Sequence, residues 1–245
     1  MKLNLLLILL FIIPFHAKSD QIYELIKIPN LEIYDTSPKG IKFLIPSKNF
    51  SAGLGVNSIN CEKTEKDQLK KKFLLIKKNM GLYDKNFIKK INLKFIILCK
   101  NLTVSDIPAI GFANPEMKTV ILNINSKDNI FKRVLHHEIF HIIHKNFKDH
   151  FSEIRWMKFN RPGFKYSKCS TCKEYIGLFP LNLTDGFYTN YAKTSVSEDM
   201  AETFSFLVLN DEYSRKKIKE DSILKNKTNL IKVSIFKIYK GFKFK

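Results

Sequence analysis

The chain has 245 residues, of which 44% are hydrophobic, and this combination predicts a globular domain with a sizeable core rather than extended disorder. Its formal net charge is +19, and all but four of its 42 basic residues are lysines. Proteins that bind nucleic acids rely more on the planar guanidinium of arginine. We therefore expect no nucleic-acid partner and interpret the lysines as a solvated surface.

The first 19 residues have the composition of a secretory signal peptide. Lys2 gives a positive start, residues 3–13 form an apolar run, and residues 17–19 (Ala-Lys-Ser) offer small side chains for cleavage. The run is too short to span a membrane, which takes about 20 residues. We predict an exported protein, secreted or periplasmic, whose mature chain begins at Asp20 and carries a formal charge of +17. For such a protein, an anionic envelope surface suits the lysines better than DNA does.

Hydrophobic periodicity and turn signals predict strands first and helices later. The predicted strands are residues 41–46, 93–99, 110–113 and 119–124, the last two joined by a turn at 114–117. The predicted helices are residues 65–80, 128–146, 152–159, 197–209 and 218–239, with irregular structure over 160–190. This order is typical of an α+β fold. We predict a single domain over 20–245, with an N-terminal lobe (about 20–148) that contains a mixed sheet and a mainly helical C-terminal lobe (about 149–245).

The four cysteines are Cys61, Cys99, Cys169 and Cys172. An even number of cysteines in an exported protein indicates disulfides, and three pairings are open. We favour Cys61–Cys99 with Cys169–Cys172. A Cys-x-x-Cys sequence also occurs in structural zinc sites and redox motifs, but this chain has no second such pair to complete a zinc site.

The motif that indicates chemistry is His137-Glu138-Ile139-Phe140-His141, an H-E-x-x-H sequence inside the predicted helix 128–146. Residues four apart lie on one helical face, about 5–6 Å apart at Cβ, so the two histidines can bind one Zn²⁺. Glu138 is placed to act as a general base on a water molecule that zinc activates. If the histidines were ordinary core residues, Glu138 would be an isolated charge in apolar surroundings.

Two further histidines flank this motif. In the metzincin pattern H-E-x-x-H-x-x-G-x-x-H, His144 would occupy the position of the glycine and Phe147 that of the third histidine, so the metzincin arrangement is excluded. We interpret His136 and His144 as flanking residues. A catalytic zinc takes three protein ligands, so the third must come from elsewhere in the chain.

The predicted helix 197–209 offers Glu198 and Glu202, four residues apart on one face. Considered alone, these residues would be interpreted as an acidic first turn, which the helix dipole favours. Beside an H-E-x-x-H motif that lacks a third ligand, they are candidates for the zinc site. From the spacing alone, either glutamate can be the ligand.

This pair resembles the gluzincin arrangement, in which a glutamate ligand is followed four residues later by an acid that orients the first histidine. Tyr191, seven residues before Glu198, and the Ala201-Glu202 dipeptide resemble the anthrax lethal factor and Pro-Pro endopeptidase group still more closely. The segments 160–166 and 186–202 are also similar to exported zinc-binding metallopeptidases of bacteria. The resemblance covers about residues 128–210.

The resemblance implies a zincin-like fold with the metal-binding helix in the N-terminal lobe, zinc as cofactor, and hydrolysis of peptide bonds in protein or peptide substrates. It implies that Glu198 joins His137 and His141 as ligand, a choice over Glu202 that depends mainly on the Tyr191 spacing. Glu202 would then hold an imidazole in the right tautomer.

Two further roles follow from the same resemblance. Tyr191 would donate a hydrogen bond to the oxyanion that forms on the scissile carbonyl, and Glu138 would return its proton to the product. The substrate would add a strand to the edge of the N-terminal sheet, for which residues 119–124 are the candidate. The rival hypothesis is a non-enzymatic secreted or envelope-binding protein on the same scaffold. The intact Glu138 argues against it, since a binding protein has no need of a general base.

Overall fold

The structure, a computed structural model, describes residues 30–53, 58–167 and 177–244. The predicted signal peptide and the predicted Cys169–Cys172 pair lie outside these residues. Within them the strands are β1 (Leu31–Thr36), β2 (Lys42–Pro46), β3 (Phe50–Ala52), β4 (Ile59–Glu62), β5 (Phe95–Val104), β6 (Ile107–Pro108), β7 (Gly111–Asn114) and β8 (Thr119–Asn123). The α-helices are α1 (Lys66–Met80), α2 (Lys85–Ile91), α3 (Asp128–Asn146), α4 (Glu153–Met157), α5 (Val196–Leu209), α6 (Glu212–Glu220) and α7 (Ser222–Ile238).

The long strand β5 is shared by two parts of a curled, mixed sheet. Its first half pairs in parallel with β2 on one side and β8 on the other, and β1 and β7 extend this part in antiparallel fashion. Its second half pairs in antiparallel fashion with β4 and β6, and β3 extends β4. The residues Ile96, Ile97, Leu98 and Cys99 are fully buried, as expected for a central parallel strand covered on both faces.

The sheet edge predicted at residues 119–124 is wrong. β8 is an interior strand because β7 folds back along its free side, in a register that pairs Gly111 with Leu122 and Asn114 with Thr119. In the described part of the chain β7 pairs only with β8, so Gly111–Asn114 is the edge of this part of the sheet. A turn was predicted at 114–117 and lies at 115–118, but a hairpin alone does not say which of its strands lies outside.

Helix α3 is central to the fold. It packs against β7 and β8 on one side and against α5 on the other. Ile139, Phe140, Ile142 and Ile143 are fully buried, so the residues between and around the predicted ligands fix the helix in the core. The predicted helices 65–80, 128–146 and 197–209 are confirmed to within one residue at each end.

The single helix predicted over residues 218–239 is two helices. Asp221 is in an extended conformation with φ −116°, and its side chain accepts hydrogen bonds from the backbone N–H groups of Ile223 and Leu224 at 2.9 and 3.0 Å. This capping ends α6 and starts α7.

The short elements β1, β3, β4, β6 and α2 were not predicted. A mixed sheet followed by helices confirms the α+β class, and no helix within the described residues is long and apolar enough to cross a bilayer.

The predicted Cys61–Cys99 disulfide is confirmed, and it joins β4 to β5 in the core. It links residues 38 positions apart, and such a cross-link restricts the unfolded chain.

We expect the double variant Cys61→Ala/Cys99→Ala to lose about 2–4 kcal/mol of unfolding free energy, measured by urea denaturation. The unaltered protein unfolded in reducing buffer is the control and should show a similar loss. A double variant with the midpoint of the oxidised protein would contradict the expectation.

Candidate metal centre

Helix α3 brings His137 and His141 together one turn apart on one face. Their rings lie 4.8 Å apart between centroids at an angle of 74°, and their Nε2 atoms are 3.0 Å apart. Ser197 from α5 lies beside the second ring, with its Oγ 3.4 Å from His141 Nδ1. Each imidazole therefore directs its Nε2 atom towards one point between α3 and α5.

Helix α5 places Glu198 at that same point. Its Oε2 lies 2.9 Å from His137 Nε2 and 3.3 Å from His141 Nε2, and the three donor atoms lie within 4.8 Å of one another. Ser195 caps the start of this helix: its hydroxyl accepts a hydrogen bond from the Glu198 N–H at 3.2 Å and so fixes the first turn. Two imidazole nitrogens and one carboxylate oxygen are a donor set that fits Zn²⁺ with an open fourth position.

Glu202 lies one turn further along α5 and faces the opposite nitrogen of the same histidine. Its Oε1 is 2.9 Å from His137 Nδ1, and its Oε2 accepts a hydrogen bond from the Thr189 hydroxyl at 2.8 Å. The carboxylate is fully buried, and Arg133 Nε lies 3.8 Å from Oε2. An ionised Glu202 can only accept, so Nδ1 carries the proton and Nε2 is left to face Glu198.

The charges in this cluster compensate one another. Burial raises the pKa of Glu202, but the Arg133 guanidinium and the hydrogen bonds from His137 and Thr189 outweigh burial and hold it below its usual value. For Glu198, the two imidazoles outweigh burial and hold the pKa well below its usual range. Burial lowers the pKa of His137, but hydrogen bonds to the two carboxylates raise it to about 10. The two carboxylates thus favour the protonated form of His137, and that proton has to leave before the ring can bind a metal ion.

Glu138 lies beside this cluster, under the edge strand β7. A Cβ added at Gly111 would stand 2.6 Å from Glu138 Oε1 and 2.5 Å from Val134 Cγ1, so the strand backbone rests directly on the carboxylate. Burial raises the pKa of Glu138, although the neighbouring imidazoles partly oppose the shift. A raised pKa suits a group that must take up a proton and give it back.

Tyr191 lies in a 3₁₀ turn, Tyr191–Lys193, that precedes α5. Its ring centroid is 5.8 Å from that of His137. Burial raises the pKa of Tyr191 well above its usual value, and the charge of Glu198 adds to the shift. The phenol therefore stays protonated and can donate a hydrogen bond. The structure brings every predicted site residue to one place.

His136 occupies the opposite side of α3. The Asn79 side-chain NH₂ donates to the Leu75 carbonyl at 2.8 Å, which turns its amide oxygen towards His136 Nε2 at 3.2 Å. Nε2 therefore donates, and Nδ1 accepts the Tyr83 hydroxyl at 2.6 Å. This histidine anchors the metal helix to the α1 side of the core, which agrees with its interpretation as a flanking residue.

Arg133, Thr189 and Gly111 lie around the site and were not predicted. Arg133 stands one turn before His137 on α3, and that i, i+4 relation to the first histidine was a signal that could have identified it. Thr189 and Gly111 have no comparable sequence signal, because loop and strand packing bring them to the site.

Two of the comparisons with known proteins found a match. The model of a family described as "Putative zinc-binding metallo-peptidase" matches residues 62–237. Among solved structures, the chain is similar to a protein of Bacteroides caccae described in the same words, with 18% sequence identity, a TM-score of 0.51, and coverage of 84% of this chain and 82% of that one. At this identity the likeness shows the fold alone. No curated protein matches the chain.

Proposed function

Because the chain belongs to the family described as putative zinc-binding metallo-peptidases, we propose that it is an exported, zinc-dependent endopeptidase. The observation that carries the proposal is the convergence of His137, His141 and Glu198, with the Glu138 carboxylate next to them. Glu202 behind His137 supports the gluzincin arrangement within this proposal. The Cys61–Cys99 disulfide supports export, because such bonds persist in oxidising compartments.

In the proposed reaction, His137, His141 and Glu198 would hold zinc, while Glu202 would keep the first imidazole in place. When bound, zinc supplies Lewis-acid chemistry, lowering the pKa of a water molecule and polarising a carbonyl. Glu138 accepts the proton of the attacking water and then passes it to the departing amine. Tyr191 donates a hydrogen bond to the oxygen of the scissile carbonyl as negative charge develops there.

We propose that the substrate peptide pairs with β7, the free edge next to Glu138. An extended peptide can form main-chain hydrogen bonds with such an edge, and side-chain pockets then set its preference. Because Gly111 is within contact distance of Glu138, a peptide on β7 would be near the general base. This placement replaces residues 119–124, which lie inside the sheet.

Metal analysis of the purified protein tests the proposal. We expect about one zinc per chain, cleavage of members of a peptide library, loss of cleavage on chelation, and recovery on addition of Zn²⁺. The double variant His137→Ala/His141→Ala is the control and should lack both zinc and cleavage. Full zinc occupancy in that variant would contradict the site. One bound zinc without cleavage of any peptide would favour the non-enzymatic binding protein.

A further inference from the structure

A buried ion pair next to the metal centre has no role in the proposed reaction. Asp199 follows Glu198 in the first turn of α5, and its Oδ2 lies 2.7 Å from the Nζ of Lys227 on α7. Both side chains are essentially inaccessible to solvent, at 1% and 0% exposure. We name these two residues the Asp199–Lys227 pair.

Several chain segments meet at this one carboxylate oxygen. Besides Lys227, the Trp156 Nε1–H donates to Asp199 Oδ2 at 2.8 Å and the Tyr166 hydroxyl donates at 2.6 Å. The Lys227 ammonium also lies 3.9 Å from the centroid of the Phe187 ring, a cation–π contact. The first turn of α5, which carries Glu198, is thus tied to α4, to the segment around Tyr166 and to α7.

Lys227 also contacts the loop that runs from Gly186 to Thr189, the residue that hydrogen-bonds Glu202. Its ammonium donates to the Gly186 carbonyl at 2.7 Å, and the Gly186 N–H donates to the Asp221 carboxylate at 2.7 Å. Gly186 has φ +86°, and a Cβ there would lie 2.7 Å from Ile223 Cγ2, so the loop backbone lies directly on α7. Three residues later this loop supplies Thr189, which binds Glu202.

The energetics favour a geometric role for this pair. Desolvating two charges offsets much of their attraction, and apolar residues of similar volume often stabilise a fold equally well. A buried pair with four directed hydrogen bonds does, however, fix positions that apolar contacts leave adjustable. Glu198 must meet two imidazoles from another helix, and zinc sites tolerate distance errors of only about 0.2 Å.

We propose that the Asp199–Lys227 pair is a positioning device of the metal centre, through which α7 sets both the turn that carries Glu198 and the loop that carries Thr189. Lys227 and Asp199 are positioning residues, since neither contacts the point where the imidazoles and Glu198 converge. The inference rests on the proposed function, because it assumes that these groups bind zinc.

The test uses the full mature chain and the double variant Asp199→Asn/Lys227→Met, which removes both charges and leaves none unpaired. The matched control is Lys72→Met/Asp128→Asn, which removes an ion pair of the same type, 2.7 Å long, at the start of α3. Lys72 also lies over an aromatic ring, that of Phe131 at 4.9 Å, and is largely buried. Three quantities are measured for each protein. They are the zinc affinity (by chelator competition), the visible absorption of the Co²⁺-loaded form, and the melting temperature of the metal-free form.

We expect the Asp199→Asn/Lys227→Met variant to bind zinc about 10–100-fold more weakly, the range typical of groups that hold metal ligands in place. Its Co²⁺ absorption should differ from that of the unaltered protein, because the coordination geometry changes. The control pair should leave affinity and absorption unchanged even if it lowers the melting temperature. Tyr166→Phe removes one hydrogen bond to Asp199 without unpairing a charge, and it should weaken zinc binding in the same direction by a smaller factor.

Unchanged zinc affinity and absorption in the folded double variant would overturn the inference, as would an equal loss in the control pair. If the double variant does not fold, Tyr166→Phe decides, and an unaltered affinity there overturns the inference. An unaltered protein that binds no zinc would instead overturn the proposed function.

Discussion

Replacing Glu138 by glutamine is expected to leave zinc bound and to reduce peptide hydrolysis by about 10²–10⁴-fold, the usual contribution of a general base. Glutamine keeps the shape of the side chain, which matters because the carboxylate fills the space under Gly111. It cannot accept a proton at neutral pH. The two measurements are zinc content and the kcat for a library-derived peptide.

The control for this substitution is Glu212→Gln, which makes the same chemical change on the exposed start of α6. It should alter neither zinc content nor kcat. If Glu138→Gln retained the turnover of the unaltered protein, Glu138 would have another role. If the variant lost its zinc as well, the residue would contribute to metal binding rather than to proton transfer.

Removing Glu198 is expected to weaken zinc binding far more than removing Glu202. Glu198→Ala takes away the carboxylate that faces both Nε2 atoms, so the two imidazoles remain. Glu202→Ala removes a group that contacts His137 at Nδ1 and not at the Nε2 that faces Glu198, and loss of such a group typically costs about 10–100-fold in affinity or activity. Mild chelation should therefore strip zinc from Glu198→Ala and leave it in Glu202→Ala, which turns over slowly.

The Glu202 variant needs a folding control, because its removal leaves the buried Arg133 guanidinium without a neighbouring carboxylate. We expect a lower melting temperature for Glu202→Ala than for Glu198→Ala, in the reverse order of their zinc affinities. Opposite orders of melting temperature and zinc affinity would show that the loss of zinc does not result from a loss of stability. If Glu202→Ala lost zinc under milder chelation than Glu198→Ala, Glu202 would be the ligand. The chain would then resemble zincins in general and not the lethal factor group in particular.

The parts of the site that the sequence predicted are those set by local geometry. His137 and His141 converge because a helix places residues four apart on one face, whatever surrounds it. Glu198 is 61 residues from His137, and its approach depends on how α5 packs on α3. The sequence alone left Glu198 and Glu202 equivalent, and family resemblance supplied the preference.

The features that sequence reasoning missed depend on contacts between distant segments. β4 alternates but has only four residues, too few to establish a period, and β1 has no buried residue and no regular alternation. Their strand conformation comes from pairing with β5 and β2. The placement of β7 outside β8 also depends on contacts with distant segments. The hydrophobic pattern is satisfied equally well whichever of the two strands lies at the edge.

If peptides bind along β7 as proposed, the close contact between Gly111 and Glu138 limits how their selection can be redesigned. A library that varies β7 to recruit new substrates would vary Phe112, Ala113 and Asn114, which are all half-buried. Position 111 has to stay glycine, since even the methyl group of alanine would overlap the carboxylate. The edge proposed to bind the peptide therefore contains one position where selectivity cannot be encoded.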